Sequence, residues 1–216
     1  MPQNMRRPVF SRLYARCAGP AMERAGVSEH RRRLLDGLDG RVLEIGAGNG
    51  LNFPHYPRTV REVVAVEPEP RLRGLAVRAA RHDAPVPVRV VDGTAHRIPA
   101  EDASFDAAVA CLVLCSVEDV PTALAELRRV LRPGGRLHFF EHVRADSARM
   151  RRVQRVLDAT VWPLVCGGCH TGRDTEAALA AAGFTVTDVD RFLFPDPRSP
   201  AATHILGTAV RADGGA

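Results

Sequence analysis

Apolar runs alternate with amphipathic stretches along most of this chain. Such alternation is typical of a parallel sheet that helices cover on both faces. The predicted strands span residues 41–45, 62–67, 86–91, 105–111 and 135–141, and the predicted helices are a short one after residue 50 and longer ones over 70–81 and 120–131. In the last helix Leu124, Leu127 and Leu131 share one face, and Pro133-Gly134-Gly135 then forms a stop signal. The pattern predicts a doubly wound α/β domain.

The pattern changes in the last third of the chain. We interpret residues 145–172 as an irregular segment, followed by a helix over 175–182 that Gly183 closes. Two strands, over 184–192 and 203–210, are joined by a proline-rich loop. Because this strand pair follows the last helix, it implies a hairpin. One edge strand of the sheet is therefore expected to run antiparallel to its neighbours.

The first 40 residues are predicted to form a helical extension, and residues 41–212 the α/β domain. Apolar side chains of the extension share common helical sides: Phe10, Leu13, Tyr14 and Cys17 on one side, and Leu34, Leu35 and Leu38 on another. The rest of the extension presents an arginine-rich face. No internal repeat and no second domain is indicated.

Composition indicates a folded cytoplasmic protein. The 216 residues suit one domain with its own core, and 45% hydrophobic and 25% charged residues are ordinary values. No apolar run reaches the ~18 residues of a membrane span, and the start lacks the apolar core of a signal peptide. The start, MPQNMRRPVFSRLYARC, is basic and amphipathic, so peripheral contact with anionic lipid stays open as an alternative.

The charged residues and the cysteines narrow the expected partners. The sequence contains no lysine, so all 30 basic residues are arginine, and the net charge is +5. A compositional bias explains the uniform use of arginine better than a nucleic-acid-binding groove does. Nucleic acid is therefore not the expected partner. The five cysteines are odd in number and scattered, which argues against a disulfide framework.

The segment from Glu44 to Gly50 reads EIGAGNG and follows the first predicted strand. Its three glycines indicate a turn at which the backbone closely approaches a ligand. The spacing differs from the dinucleotide motif, and Glu44 at the strand end would repel a pyrophosphate. A carboxylate there suits a ligand with a cationic amine and a sulfonium centre. The loop therefore predicts S-adenosylmethionine as the cofactor.

Two more strand ends point to the same ligand. Glu67 ends the second predicted strand, where a carboxylate can accept hydrogen bonds from both hydroxyls of a ribose. The segment Asp92-Gly93-Thr94-Ala95 closes the third strand, where a short polar side chain can meet the adenine amino group. Three strand ends thus converge on one nucleoside.

With these segments in order, the chain resembles the class I S-adenosylmethionine-dependent methyltransferases over about residues 40–210. PAEDASFDAAVACLVL resembles that family's fourth strand, and ALAELRRVLRPGGRLHFFEH its fifth helix-turn-strand unit. The resemblance implies a Rossmann-like methyltransferase with strand order 3-2-1-4-5-7-6 and strand 7 antiparallel. It implies these cofactor-binding residues: Glu44, Gly46, Ala47, Gly48, Asn49, Gly50, Glu67, Pro68, Asp92, Gly93, Thr94, Ala95, Cys111 and Leu112.

A narrower resemblance lies in the half of the chain that would meet the methyl acceptor. LVLCSV at 112–117, EHV at 141–143, GCHTGR at 168–173 and THILG at 203–207 are similar to segments of the animal methyltransferase-like enzymes that S-methylate alkyl thiols. This resemblance implies a small-molecule acceptor that is methylated on sulfur. The animal enzymes carry an amino-terminal hydrophobic anchor, and this chain has its arginine-rich start in the corresponding region.

Other acceptors and functions stay open at this point. N-methylation of phosphatidylethanolamine or another small amine, and C-methylation of a quinone precursor, use the same fold. The chain lacks the Asn/Asp-Pro-Pro-Tyr/Phe and Pro-Cys motifs of enzymes that methylate nucleic-acid bases, which favours a small or lipophilic acceptor. A cofactor-binding module without turnover is the alternative outside the enzymes, since a fold alone does not prove chemistry.

The segment after the fifth predicted strand carries the candidate catalytic residues. His142 is the predicted base, because a thiol with a pKa of ~8.5 is only slightly ionised at neutral pH. The alternative is a structural histidine bonded to backbone. Glu141 either orients His142 or makes a buried polar contact. Arg173 either stabilises an anionic acceptor or pairs with Asp174.

Cysteines and a histidine complete the predicted acceptor site. The predicted substrate-binding residues are Cys115, Cys169, His170 and Arg173. Cys169 is expected to line the acceptor cavity, and Cys111 and Cys115 to pack around the fourth strand as small apolar residues. A structural zinc site would need four convergent ligands, and covalent haem at Cys166-Gly-Gly-Cys169-His170 would need export of the protein. We therefore expect no metal.

Overall fold

The computed structural model describes residues 8–13, 15–16 and 19–212. Among these residues, three helices precede the first strand: α1 (Pro8–Leu13), α2 (Gly19–Arg24) and α3 (Val27–Leu35). On the predicted apolar side of the first helix, Leu13 is 49% exposed, and the side chains of Phe10, Tyr14 and Cys17 lie outside the described part of the chain, as do residues 1–7 of the basic start. Among the described helices, none combines the length and the apolar character needed to cross a membrane.

Seven strands and five more helices follow. The strands are β1 (Gly40–Ile45), β2 (Val60–Val66), β3 (Val88–Val91), β4 (Phe105–Cys111), β5 (Leu131–His142), β6 (Phe184–Leu193) and β7 (Thr203–Arg211). The helices are α4 (Pro70–His82), α5 (Val120–Val130), α6 (Ala148–Asp158), α7 (Trp162–Val165) and α8 (Thr175–Ala181), with a 3₁₀ turn at Phe53–His55. The predicted stop signal Pro133-Gly134-Gly135 lies within the start of β5.

The strand order is β3-β2-β1-β4-β5-β7-β6, as predicted. Strands β1 to β5 pair in parallel, because crossover connections return the chain to the same end of the sheet. Strand β7 runs antiparallel to both β5 and β6. A loop without a helix joins β6 to β7, so the chain reverses there as a hairpin. The antiparallel strand 7 that the family resemblance implies is therefore confirmed, but it lies between β5 and β6, so the expectation of an antiparallel edge strand is wrong.

Apolar residues fill both faces of the sheet. On one face Leu124 and Leu127 of α5 share a cluster with Phe139 of β5. On the other face Leu34 of α3 shares a cluster with Val42 of β1, so α3 belongs to the core. Strands β1 and β4 are central and covered on both faces, which explains their continuous apolar runs. Their carboxyl ends meet at one edge, together with that of β2.

The expectation of an irregular segment after residue 145 is wrong, because α6 and α7 lie there. Helix α6 begins after Ser147, whose hydroxyl accepts a hydrogen bond from a backbone N–H of the first turn (3.2 Å). The structure describes all of α6, and Gln154 is its one buried residue, while Val153 and Val156 are 39% and 64% exposed. Met150, Val153 and Leu157 recur at helical spacing, so the sequence carries a helical pattern here that the prediction of an irregular segment overlooked.

Candidate active site

A cleft lies at the carboxyl ends of β1, β2 and β4, with about 1120 Å³ of empty volume that includes space open to solvent. This position is typical of ligand sites in open parallel sheets. Eight predicted cofactor residues line the cleft: Gly46, Gly48, Glu67, Pro68, Thr94, Ala95, Cys111 and Leu112. Val113, Ser116 and Val117 of the next loop line it as well, as does Gly167. The cleft therefore reaches from the glycine loop to the predicted acceptor side.

The loop after β1 requires glycine. Gly46 and Gly48 have φ values of 60° and 58°, which side chains disfavour. A Cβ added at Gly46 would lie 2.6 Å from the side chain of Val113 on the cleft wall. In the same loop, Asn49 has a buried Oδ1 with no hydrogen-bond partner among the described residues. The loop thus combines bare backbone with an unused acceptor, which fits close binding of a nucleoside cofactor.

Glu67 follows β2 and lines the cleft. It is 5% exposed, and it accepts hydrogen bonds from the backbone N–H groups of Gly48 (2.8 Å) and Glu69 (2.8 Å). Burial raises the pKa of Glu67 to about 7, although these two hydrogen bonds oppose the shift. A carboxylate held at this strand end can accept the two hydroxyls of a ribose, so its position fits the predicted cofactor.

Other predicted cofactor residues support the loops around the cleft. Among the described residues, the lining does not include Glu44, Ala47, Asn49, Gly50, Asp92 or Gly93. Gly50 lies in tight packing, since an added Cβ would be 2.8 Å from the ring of Phe53. The carboxylate of Asp92 accepts a hydrogen bond from the guanidinium of Arg73 (3.0 Å). The carboxylate of Asp92 is therefore already bonded to a side chain of the same protein, that of Arg73.

Glu44 lies in a buried hydrogen-bond network. Its two carboxylate oxygens accept from Asn52 (2.8 Å) and from the hydroxyl of Tyr56 (2.7 Å). Arg31 of α3 donates in turn to the side-chain oxygen of Asn52 (2.6 Å). Burial raises the pKa of Glu44 to about 7, while the bonds from Tyr56 and Asn52 lower it. Sequence reasoning missed this network of Arg31, Asn52 and Tyr56. No local pattern shows that Arg31 of α3 contacts the segment that follows the glycine loop.

The loop after β4 is held by the end of β5. Leu112 has a φ of 58°, which is unusual for a residue with a side chain, and its N–H donates to the carbonyl of Phe140 (2.7 Å). The fully buried carboxylate of Glu141 accepts hydrogen bonds from the N–H groups of residues 113–115, at 3.0, 2.8 and 3.0 Å. Burial raises the pKa of Glu141 well above its usual range. Of the two predicted roles of Glu141, the structure shows the buried polar contact.

Three predicted acceptor-site residues meet beside this loop. The Nδ1 atom of His142 lies 3.6 Å from the sulfurs of Cys115 and Cys169, which are 3.7 Å from each other. The hydrogen bond from Cys169 and burial raise the pKa of the Cys115 thiol to about 12. Burial alone would lower the pKa of His142, but the hydrogen bond and charge of Cys115 raise it above its usual value. The ring of His204 packs on that of His142, with centroids 4.3 Å apart.

The other two predicted acceptor-site residues tie the cysteine segments together. The backbone N–H of His170 donates to the carbonyl of Cys115 (2.7 Å), and the guanidinium of Arg173 donates to the carbonyl of Leu114 (2.7 Å). A second nitrogen of Arg173 lies 3.2 Å from Nδ1 of His170. Asp174, the alternative partner of Arg173, forms its ion pair with a different arginine (2.9 Å). These contacts join the segment of residues 168–173 to the loop after β4.

Comparisons with known proteins agree with this geometry. The family model described as a methyltransferase domain matches residues 43–139. The chain is 34% identical over 173 residues to human thiol S-methyltransferase TMT1A, a match that covers 79% of this chain and 70% of that protein. It is 35% identical over 181 residues to mouse thiol S-methyltransferase TMT1B, covering 82% and 74%.

A solved structure shares the fold. It is that of 1,6-didemethyltoxoflavin-N1-methyltransferase from Burkholderia thailandensis, with bound 1,6-didemethyltoxoflavin and S-adenosylhomocysteine. The match has a TM-score of 0.65 at 20% sequence identity and covers 94% of this chain and 86% of that chain.

The sheet and the cleft define an α/β methyltransferase, and the chain belongs to the S-adenosylmethionine-dependent methyltransferase family. Within that family, it is similar to the thiol S-methyltransferases. It is an enzyme with S-adenosylmethionine as its cofactor, as the sequence predicted. The cofactor supplies a methyl group on an already activated carbon. The task of the chain is therefore mainly to position donor and acceptor.

Proposed function

We propose that the cofactor binds in the cleft with its ribose hydroxyls on Glu67 and its adenine beside Thr94 and Ala95. The support is the lining of the cleft, which brings these residues together with the glycine loop. The methionine part of the cofactor then lies along the bare backbone of Gly46 and Gly48. Glu44 contributes indirectly, because its hydrogen bonds hold Asn52 and Tyr56.

We propose a small-molecule thiol as the methyl acceptor. The observation that carries this proposal is the similarity to thiol S-methyltransferases over 173 residues, a stretch much longer than the family match at residues 43–139. The similarity therefore extends into segments outside the common domain model. Those segments include the ones that can distinguish one acceptor from another.

The wall of the cleft supports a lipophilic thiol. Leu112, Val113 and Val117 line the cleft beside the segment that carries Cys115. These side chains can contact an alkyl group, while the thiol sulfur faces the methyl carbon of the cofactor. The acceptor thiol gives up its proton to solvent, its sulfur forms the new bond to the methyl carbon as the bond from this carbon to the sulfonium sulfur breaks, and S-adenosylhomocysteine leaves. The products are one thioether and one S-adenosylhomocysteine per turnover.

A mass-spectrometric assay tests this proposal. Purified protein is incubated with S-adenosylmethionine and a series of short alkyl thiols and hydrogen sulfide, and both products are followed together. We expect thioether and S-adenosylhomocysteine in equal amounts. Alcohols and amines of matching chain length serve as controls. If the protein binds the cofactor but leaves every thiol unchanged over a range of pH, a thiol is not the methyl acceptor. Vesicles with phosphatidylethanolamine and a quinone precursor then test the alternative acceptors.

A further inference from the structure

The positions of Cys115, His142 and Cys169 match three corners of a tetrahedral metal centre. With metal–sulfur distances of about 2.3 Å and metal–nitrogen distances of about 2.0 Å, tetrahedral angles place two sulfurs about 3.8 Å apart and a sulfur and a nitrogen about 3.5 Å apart. The observed separations are 3.7 Å between the sulfurs and 3.6 Å from each sulfur to Nδ1 of His142. These separations are also those of hydrogen bonds to sulfur, and one ion would replace all three hydrogen bonds at once.

The chemistry of the three donors selects a thiophilic ion. Two cysteine sulfurs and one imidazole nitrogen are preferred ligands of Zn²⁺, whereas Mg²⁺ and Ca²⁺ prefer oxygen. The two sulfurs are buried, with Cys115 1% and Cys169 5% exposed. Two thiolates balance the charge of a Zn²⁺ ion, so the ion and its ligands are neutral together. This balance permits a charged centre in a buried place.

The protein holds these ligands in place through its own hydrogen bonds. The carboxylate of Glu141 accepts from the backbone N–H of Cys115 (3.0 Å), and Glu141 directly precedes His142 in β5. The N–H of His170 donates to the carbonyl of Cys115 (2.7 Å), which joins the segment of Cys169 to that of Cys115. Ligands that are already oriented by such contacts bind metal more tightly than free side chains do.

We propose that Cys115, His142 and Cys169 bind one Zn²⁺ ion and that the fourth position of this ion binds the sulfur of the acceptor thiol. Three protein ligands with an open fourth position are the arrangement of catalytic zinc. The metal site stands independently, whereas the role in acceptor binding rests on the proposed thiol methylation. This site replaces the hypothesis that His142 is a general base, because its Nδ1 faces the ion.

The metal site adjoins the cleft. The sulfur of Cys115 lies 3.5 Å from the hydroxyl oxygen of Ser116, which lines the cleft. Gly167 also lines the cleft and lies two positions before Cys169 in the chain. The metal site therefore lies next to the wall of the cleft, and the proposal requires that the fourth position of the ion point toward the cleft.

The metal provides an ionised acceptor at neutral pH. The thiol loses its proton to solvent when its sulfur binds Zn²⁺, because a coordinated thiol is deprotonated. The sulfur then forms a bond to the methyl carbon, the bond from this carbon to the sulfonium sulfur breaks, and the electron pair stays on S-adenosylhomocysteine. The neutral thioether is a weaker ligand than the thiolate and leaves the ion. The step needs neither an oxidant nor a reductant.

Metal analysis of the purified protein tests the site directly. We expect about one zinc per chain in the wild type and less than about one-tenth of that in Cys115→Ser, Cys169→Ser and His142→Ala. Cys166→Ser is the matched control, since Cys166 lies outside the cluster, and it should keep its zinc. Binding of S-adenosylmethionine to each variant shows that the variant is folded.

Cobalt substitution gives a readout that does not depend on turnover. The Co²⁺ protein should show visible bands of a tetrahedral ion and a near-ultraviolet thiolate band that weakens in Cys115→Ser and Cys169→Ser. A short alkyl thiol added without S-adenosylmethionine should strengthen the thiolate band, and the matching alcohol should not. Removal of zinc by a chelator should abolish thiol methylation without loss of cofactor binding, and added Zn²⁺ should restore it.

The outcomes separate the metal site from the acceptor. Full-rate thiol methylation by a protein that holds no zinc overturns the metal site and leaves the proposed function standing. A disulfide between Cys115 and Cys169 in place of the metal overturns it too. A cobalt spectrum that does not change when thiols are added shows a structural ion, and it overturns the proposal that the ion binds the acceptor thiol. A spectrum that responds to thiols, without any thioether product, keeps the metal site and overturns the proposed function.

Discussion

Glu141 and Cys115 are joined by a hydrogen bond of 3.0 Å from the backbone N–H of Cys115 to the carboxylate of Glu141. The two residues are 26 positions apart in the sequence, and they meet because β4 and β5 are neighbours in the sheet. The bond connects the end of β5 with the turn that lines the cleft. A change at Glu141 should therefore affect both the fold and the chemistry.

Glu141→Gln should lower the free energy of unfolding by about 1–3 kcal/mol, because an amide NH₂ replaces one acceptor opposite backbone donors. It should lower turnover about 10-fold or more, since the turn positions Cys115. Urea denaturation and steady-state kinetics measure the two effects. Glu101→Gln, at an exposed glutamate, is the control and should change neither. An unchanged free energy of unfolding in Glu141→Gln would contradict the role of Glu141 in holding the turn.

Affinity for S-adenosylmethionine should rise with pH through about 7. Glu67 has its pKa raised to about 7 by burial, with Glu69 raising it further and Arg73 opposing, so the carboxylate is mostly protonated below that pH. The ionised form accepts both ribose hydroxyls. Isothermal titration from about pH 6 to about pH 8 should show tighter binding at the higher pH. Because the folded state holds this proton more tightly than the unfolded state, whose glutamate pKa is 4.5, the cofactor-free protein should lose stability as the pH rises from about 4.5 to about 7 and change little above that.

The matched variant for this pH dependence is Glu67→Gln. It keeps the size of the side chain but removes its titration, so cofactor affinity should fall about 10-fold and lose most of its dependence on pH. A Gln variant with the same pH dependence as the wild type would assign the titration to another group.

Gly46→Ala should weaken cofactor binding and lower stability by about 1–2 kcal/mol from backbone strain alone. The φ of Gly46 is 60°, and an added Cβ would lie 2.6 Å from Val113. The control is Gly74→Ala in α4, where an added Cβ meets nothing within 4 Å. That variant should gain up to about 1 kcal/mol, because alanine favours the helix. Thermal unfolding with and without S-adenosylmethionine measures both variants, and equal effects would refute the steric argument.

Arg31→Met should loosen the glycine loop. The guanidinium of Arg31 is buried and donates to Asn52, which in turn donates to Glu44. Loss of this donor should lower the free energy of unfolding by about 1–3 kcal/mol and raise the dissociation constant of the cofactor several-fold. Arg32→Met is the control, because its ion pair with Glu29 is exposed and should contribute less than about 1 kcal/mol. Similar results for both variants would rule out a specific role of the network.

The pattern of residues determined the strands of the sheet and the cofactor end of the site, and the family resemblance implied the strand order. The spacing of apolar residues and the positions of glycine and proline depend on local structure, so they can be interpreted without knowledge of the tertiary contacts. The glycine loop is the clearest case, because a φ of 60° at Gly46 restricts the residue type at that position itself. Glu67 could be placed for a related reason, since the carboxyl ends of parallel strands meet at one edge.

Only the tertiary structure shows that Arg31 joins the network of Glu44, and that Cys115, His142 and Cys169 form a cluster. Cys115 and Cys169 are 54 positions apart, and His142 lies 27 positions from each. No periodic pattern in a sequence indicates which loops contact each other. In the structure, the pairing of β4 with β5 and the hydrogen bonds of Glu141 and His170 bring these three residues together. Helix α6 is a different case, because Met150, Val153 and Leu157 recur at helical spacing and the helix could have been predicted from them; only its attachment through the buried Gln154 needed the tertiary structure.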